Sequence, residues 1–561
     1  MSATERPLRI GNASGFYGDR ATAWREMLDG GELDVLTGDY LAELTMLILG
    51  RDRLKDPATG YAKTFLRQLE GVLGPALERG TRLVTNAGGL NPAGLATAIA
   101  ALAGRLGIHA KVGHVEGDQI TIEGALTANA YLGAFGIAEC LRAGADIVVT
   151  GRVTDASLVV GPGIARFGWT RDDLDALAGA TVVGHILECG AQATGGNFSF
   201  FTELPDGGRR PGFPLAELRA DGSAVITKHP GTGGAVTTET ITAQLLYEIG
   251  APAYLGPDVV AHFETIGLRA EGPDRVLVHG VKGSPPPPTL KVGANRLGGF
   301  RNTMTFVLCG LRIEEKAALV RTQLTDALGS EVPDDLEFTL ARTDHPDAGD
   351  EQAASALLAV HIKTTDQQRA GRAFAQAAVE LALASYPGLT LTGPPGDATP
   401  FGIFTGHAIP QDAVEHVAVL PDGTRRTIAP PEKTTEPPRY REEAHETQTG
   451  PTTKAPLGVL FGARSGDKGG DANIGVWARD DAGFAWLRAG LTIQELKALL
   501  PETRELAIER FELPNLRAVN FLVHGILGEG VAASTRFDPQ GKALGEWLRS
   551  RQVELPSGLL P

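Results

Sequence analysis

Three cysteines, Cys140, Cys189 and Cys309, are all that this chain of 561 residues contains. So few thiols, so widely spaced, exclude a disulfide framework and a zinc cluster. Positive charge is also scarce. Lysine and arginine number 52 against 67 aspartates and glutamates, a formal charge of −15, which argues against non-specific nucleic-acid binding. A local basic pocket for an anionic substrate is compatible with that balance. Long apolar runs are missing as well. The opening MSATERPLRIG carries no apolar signal core and no stretch reaches a clean membrane span, so a soluble cytoplasmic protein is expected. Nor is there a GxxxxGK(S/T) loop, HExxH, paired CxxC or GxSxG elbow. These absences remove P-loop NTPases, zincins and the standard serine hydrolases. Acid/base enzymes, whose residues need no contiguous motif, remain.

What is present is glycine, 72 residues without the every-third spacing of collagen. That excess reads as tight turns and close backbone approaches. The length calls for two or three domains, and the 42% apolar content is ample for their cores. Up to about residue 260, short β-like runs alternate with helical segments: TRLVTNAGG leads into NPAGLATAIAALAGRLG, and ADIVVTGRVTDAS repeats the plan. Such alternation predicts an α/β fold, a mostly parallel sheet with crossover helices, and ligands at the C-terminal ends of its strands. From about 275 the order β-α-β-β-α resembles a split βαβ lobe. The Pro-, Thr- and Glu-rich stretch 430–456 reads as a linker, and the residues after it as a small α+β domain. The expected division is therefore 1–270, 271–429, the linker 430–456, and 457–561.

Several Gly-rich strand exits share one grammar. GNASGFYGDR offers Asn12 and Ser14 as polar contacts. TNAGGLNPAG feeds a helix N-terminus that favours a phosphate or carboxylate. There Gly88 and Gly89 would admit a close ligand, with Asn86 and Asn91 giving directional hydrogen bonds; the plainer reading of Asn91 is a helix cap before Pro92. TGRVTDAS places Arg152 to clamp an oxyanion, with Asp155 to orient it, act as base or hold a metal. HILECGAQATGGNFSF sets Glu188 and Cys189 after an apolar run taken as a strand, with His185 on the same face as Cys189. A desolvated Glu188 suits a general acid/base, while Thr194, Gly195, Gly196 and Asn197 form a further turn toward substrate. KHPGTGG offers Lys228 and His229 for charge neutralisation and proton shuttling. In GDYLAELT, Asp39 and Glu43 would share a helical face, either binding Mg2+ or, the safer expectation, facing solvent. After the linker, RSGDKGGDAN is expected to bring Asp467, Lys468 and Asn473 toward the same cleft, or to lie at a subunit contact.

Taken in order, TNAGGLNPAG, TGRVTDAS, ECGAQATGGNF, KHPGTGG and SGDKGGDANIGV resemble the acyclic terpene utilization AtuA family over essentially the whole chain. The resemblance implies a long N-terminal AtuA domain and a C-terminal ferredoxin-like domain. It also implies a role in breaking down acyclic terpenoid and other branched acids through acyl-CoA intermediates, alongside acyl-CoA carboxylases and enoyl-CoA hydratases. It transfers no catalytic residues. On the residues themselves, the expectation is a hydratase/dehydratase or related lyase acting on a carboxylic acid or its CoA thioester. Glu188 or Asp155 would move the proton, Arg152 would anchor a carboxylate, and Lys468 or His229 would stabilise negative charge. The alternatives are a non-catalytic partner of a carboxylase or hydratase, and a Mg2+–ATP-dependent ligase or phosphotransferase. No cofactor is specified beyond Mg2+ and a CoA thioester substrate as compatible choices. A homo-oligomer without nucleic-acid or membrane partners is expected.

Overall fold

The computed structural model of the chain describes residues 6–333, 335–441, 445 and 450–560. At its centre lie five parallel strands: β1 (Leu8–Asn12), β2 (Val35–Gly38), β3 (Arg82–Thr85), β4 (Val112–Glu116) and β5 (Ile147–Thr150), in the spatial order β1-β2-β3-β5-β4. Alternate side chains enter opposite cores, as a two-residue period requires. Val35, Val84 and Val148 point into one apolar cluster, and Leu36, Leu83, Ile147 and Val149 into the other. Helices α1 (Pro92–Arg105), α2 (Ser157–Phe167), α3 (Leu174–Glu188) and α4 (Thr238–Leu245) supply much of the cover.

The expected mostly parallel sheet is corrected to a mixed one. Next to β1 the sheet continues through Pro214–Leu218, Ala224–Lys228, Arg275–His279 and Gly267–Gly272, and next to β4 through Val417–Val419 and Arg425–Thr427. Every one of these additions pairs antiparallel. Short hairpins extend a parallel core without needing a crossover helix.

Two compact units form. One comprises residues 1–295, 404–531 and 538–561, so that the C-terminal α+β domain clusters with the N-terminal region. Its antiparallel four-stranded sheet runs β6 (Phe461–Lys468), β7 (Asp471–Ala478), Ala518–Val523 and Ile508–Leu513. The other unit comprises residues 296–403 and 532–537. Within it the strand ending at Cys309, helix Ile313–Leu328, strands Asp335–Ala341 and Ser355–Thr364, and helix Phe374–Glu380 follow the β-α-β-β-α order. Of the stretch 430–456, residues 442–444 and 446–449 lie outside the described residues, and Thr452–Pro456 is a strand paired with Gln552–Pro556. Among the described residues no helix is long and apolar enough to cross a membrane.

Candidate active site

The loops leaving β1, β2, β3 and β5 emerge side by side, because these strands are parallel neighbours. Where they meet, Asp39, Asp155 and Glu188 each place a carboxylate oxygen within 4.8 Å of the others.

Each carboxylate is held by residues of adjoining exits. Asp39, one residue beyond β2, is buried. Its Oδ1 accepts from Asn86 Nδ2 at 2.6 Å and from the Leu41 N–H at 3.0 Å. Ser14 exchanges two bonds with its main chain: Ser14 Oγ donates to Asp39 O at 2.9 Å, and the Asp39 N–H donates to Ser14 O at 2.8 Å. Glu188 ends α3, and Asn12 Nδ2 donates to the last carbonyls of that helix, Leu187 O at 2.5 Å and Glu188 O at 3.1 Å. Leu187 O also takes the N–H of Cys189 at the helix cap, and carbonyls at a helix end rely on such partners. Asp155 Oδ1 lies 3.0 Å from Arg152 Nη2, off the axis of a hydrogen bond. Arg152 is itself clamped inside the protein. Its N–H donates to buried Asp118, its Nη1 donates to Leu41 O at 2.8 Å, and its guanidinium lies 4.1 Å from the centre of the Tyr131 ring. Asn12, Ser14 and Asn86 are therefore positioning residues for the carboxylates, and Arg152 is committed to Asp155 and Leu41.

Crowding sets the electrostatics. Burial, reinforced by Asp155, pushes the proton affinities of Asp39 and Glu188 well up, against the opposing pull of Arg152. Burial opposes the charge of Arg152, yet Asp155, Tyr131 and Asp39 outweigh it and hold the guanidinium more firmly charged. His185, one helical turn before Glu188, sits with Nδ1 3.0 Å from Glu188 Oε1. Burial, then Lys468, depresses its pKa to about 4, so it is neutral at physiological pH.

Three features differ from the sequence-based expectations. The apolar run before Glu188 is a helix rather than a strand: every residue from Ala176 to Leu187 is buried, and a helix apolar all round shows no amphipathic period. His185 consequently faces Glu188 rather than pairing with Cys189, whose thiol is kept protonated by burial and by Glu188. Asp39 does not face solvent, and it shares no helical face with Glu43. The first lies in the exit of β2 and the second opens the helix Glu43–Lys55.

RSGDKGGDAN forms the β6–β7 hairpin, turning through Gly469 at φ +70°, a conformation that favours glycine. Asp467 and Lys468 stand at its tip. Burial, then Glu248 and Glu43, raises Asp467 to about 8. Burial, then Lys291, lowers Lys468, which makes no hydrogen bond or salt bridge among the described residues. Asn473 anchors the hairpin: its Oδ1 accepts from the Glu248 N–H, and its Nδ2 donates to Leu246 O at 2.7 Å and to Asn520 Oδ1 at 2.9 Å. Glu43, Glu248, Lys291 and Tyr131 join the charged surroundings. Asp39 carried a legible signal, since it follows a strand just as Asn86 does; Glu248, after α4, carried none.

The remaining candidates are engaged elsewhere. Asn91 caps α1, accepting from the Gly94 N–H at 2.9 Å. A Cβ on Gly88 would lie 2.4 Å from Thr150 O, and one on Gly89 2.4 Å from Leu49, so close protein neighbours require glycine at both positions. Thr194 donates to Ala191 O and Gly212 O. Gly195 abuts Leu204, Gly196 abuts Ala191, and Asn197 O receives Arg464 Nη1. Lys228 pairs with Asp274 at 3.1 Å and donates to Thr232 O, and His229 Nε2 is 2.9 Å from Met27 O. None of these partners belongs to the carboxylate cluster.

Fold and site together define an α/β protein with a carboxylate-lined site at its parallel strand ends, approached by a hairpin from an antiparallel α+β domain. The family model described as acyclic terpene utilisation family protein AtuA matches residues 8–124 and 121–420, and that of the AtuA ferredoxin-like domain matches 455–554. The chain belongs to the AtuA family of acyclic terpene utilisation. No curated protein matches it.

Proposed function

We propose that the chain is a hydro-lyase of branched or acyclic terpenoid acid breakdown, adding water to, or removing it from, an unsaturated carboxylic acid or its acyl-CoA thioester. What carries this reading is the pair at the hairpin tip: burial, Glu248 and Glu43 raise Asp467 to about 8, while Lys468 beside it makes no hydrogen bond or salt bridge among the described residues. A carboxyl group protonated at neutral pH is a competent general acid, and an ammonium whose hydrogen-bond donors are not taken up suits an oxygen that gains negative charge.

In the hydration direction, the oxygen of water bonds to the β carbon. The electron pair of the double bond moves to the α carbon and the carbonyl oxygen, where Lys468 faces it. Asp467 gives its proton to the α carbon, and the resulting carboxylate collects the proton that the water releases. Elimination runs the same steps backward. Glu188 Oε2, buried without a hydrogen-bond partner, would orient the water. The family's place in acyclic terpene utilisation supports the substrate class.

The test is a panel of branched α,β-unsaturated acyl-CoA thioesters and free acids, followed by loss of enoyl absorbance and by deuterium uptake at the α carbon in heavy water. Hydration of at least one is expected, with Asp467→Asn and Lys468→Met each losing about 10²-fold or more in kcat/KM. If no panel member is hydrated or exchanges its α proton, the reading fails. Capture of an acyl-CoA carboxylase in that case would favour the non-catalytic partner.

A further inference from the structure

We propose that Asp39, Asp155 and Glu188 bind one divalent cation of the hard, oxygen-preferring class, Mg2+ or Mn2+. The binding stands on the geometry of these three side chains and does not depend on the reaction proposed above.

The oxygens lie within 4.8 Å of one another, a bound slightly wider than the about 4.2 Å that opposite ligands about 2.1 Å from a shared Mg2+ span, so a small side-chain movement brings all three onto one ion. Their ligating atoms are left open. Glu188 is nine-tenths buried, and its Oε2 has no hydrogen-bond partner; Asp155 Oδ1 is likewise buried without one. Asp39 spends Oδ1 on Asn86 and Leu41, and its Oδ2 makes no hydrogen bond among the described residues. An acceptor without a donor is costly inside a protein, and a cation removes that cost.

His185 supplies an observation independent of the acidic cluster. Its ring is 1% exposed, packed against Tyr254 and Phe263, and neither nitrogen has a well-aligned hydrogen bond. Nδ1 nevertheless points to Glu188 Oε1 at 3.0 Å. Ligating carboxylates are themselves held by polar partners behind them, and the imidazole is placed for that role.

Charge agrees. Three carboxyl groups face one guanidinium, Arg152, a set that once ionised carries two net negative charges for a divalent ion to balance. Farther out, Lys291 and Lys468 are answered by Glu43 and Glu248. An all-oxygen donor set selects Mg2+ or Mn2+ over Zn2+ or Cu2+, which prefer nitrogen and sulfur. The carboxylates are also preorganised: Asn86 and Ser14 hold Asp39, and Asn12 holds the helix end that carries Glu188. An ion there would also hold the water of the proposed hydration.

The experiment uses the full chain, stripped with chelator and titrated with Mn2+ while free Mn2+ is read by electron paramagnetic resonance. Mg2+ competition and thermal unfolding are followed in parallel. One Mn2+ per chain is expected, displaced by Mg2+, with a rise in melting temperature. Asp39→Asn and Glu188→Gln should each weaken Mn2+ binding at least tenfold and abolish the thermal rise, while Asp175→Asn, at an exposed Lys282 pair, leaves both unchanged. Asp155→Asn, at the more exposed carboxylate, decides the matter if the other variants misfold by circular dichroism. Absence of Mn2+ uptake at millimolar concentration, or uptake indifferent to Asp155→Asn and Glu188→Gln, overturns the proposal. Because no substrate is involved, its failure leaves the hydro-lyase reading standing, and the converse also holds.

Discussion

Asn86 holds Asp39 with both ends of one amide: Nδ2 donates to Asp39 Oδ1 at 2.6 Å, and Oδ1 accepts the Tyr40 N–H at 2.8 Å. Both residues are buried, so no water replaces either bond. Asn86→Ala leaves the buried Tyr40 N–H bare and takes from Asp39 Oδ1 one of its two donors, and should cost about 1–3 kcal/mol in denaturant unfolding. Turnover should fall further than stability explains, because Asp39 is freed to move. Wild-type stability in the variant would show that this amide does not hold the site.

Glu188→Gln keeps the size of the side chain and the main-chain carbonyl that Asn12 holds. Its fold, followed by far-ultraviolet circular dichroism, should be retained while turnover drops by 10² or more. Full turnover in the variant would remove Glu188 from the chemistry.

Asp467 predicts a dependence of stability on pH. Its folded pKa, about 8, stands above the ordinary 3.8 because of burial and of Glu248 and Glu43, with Lys542 opposing. Between those values the folded chain binds more proton than the unfolded one, so stability is fully present below pH 4 and is lost as pH rises toward 8. Asp467→Asn should flatten this part of the profile of melting temperature against pH and raise stability at pH 8. An identical profile in the variant would contradict the assignment.

Gly88→Ala tests whether the glycines of the β3 exit serve packing. The new Cβ would meet Thr150 O at 2.4 Å and Pro92 at 2.8 Å, both backbone contacts. Destabilisation of about 1–3 kcal/mol is expected from such overpacking. A stable variant with lost activity would instead return Gly88 to the ligand.

Legibility in the sequence followed the range of the interaction. Asn91 before Pro92 marks the start of α1 because a cap bonds its own helix three residues on. The GDKGGD turn marks the β6–β7 hairpin because Gly469 needs a left-handed backbone. The strand exits showed for the same reason, and so did the order of elements in the split βαβ lobe. Misreadings arose where neighbours along the chain say little. The run ending at His185 and Glu188 is buried on every side and carries no period. Asp39 and Glu43 are spaced as a helical pair, but Asp39 lies in the loop after β2 and the helix begins only at Glu43.

By itself, the sequence determined the α/β class, the family, the polar character of each strand exit and the glycine turn that carries Asp467 and Lys468. Local backbone preference and side-chain chemistry are enough for those. Only the tertiary structure decided which of these residues meet. It brought Asp39, Asp155 and Glu188 together from three separate strand and helix ends, turned Asn12, Ser14 and Asn86 into their supports, and sent Lys228 and His229 to partners elsewhere. Burial and the choice of partner depend on residues distant in sequence, and these set the proton affinities on which the site's chemistry rests.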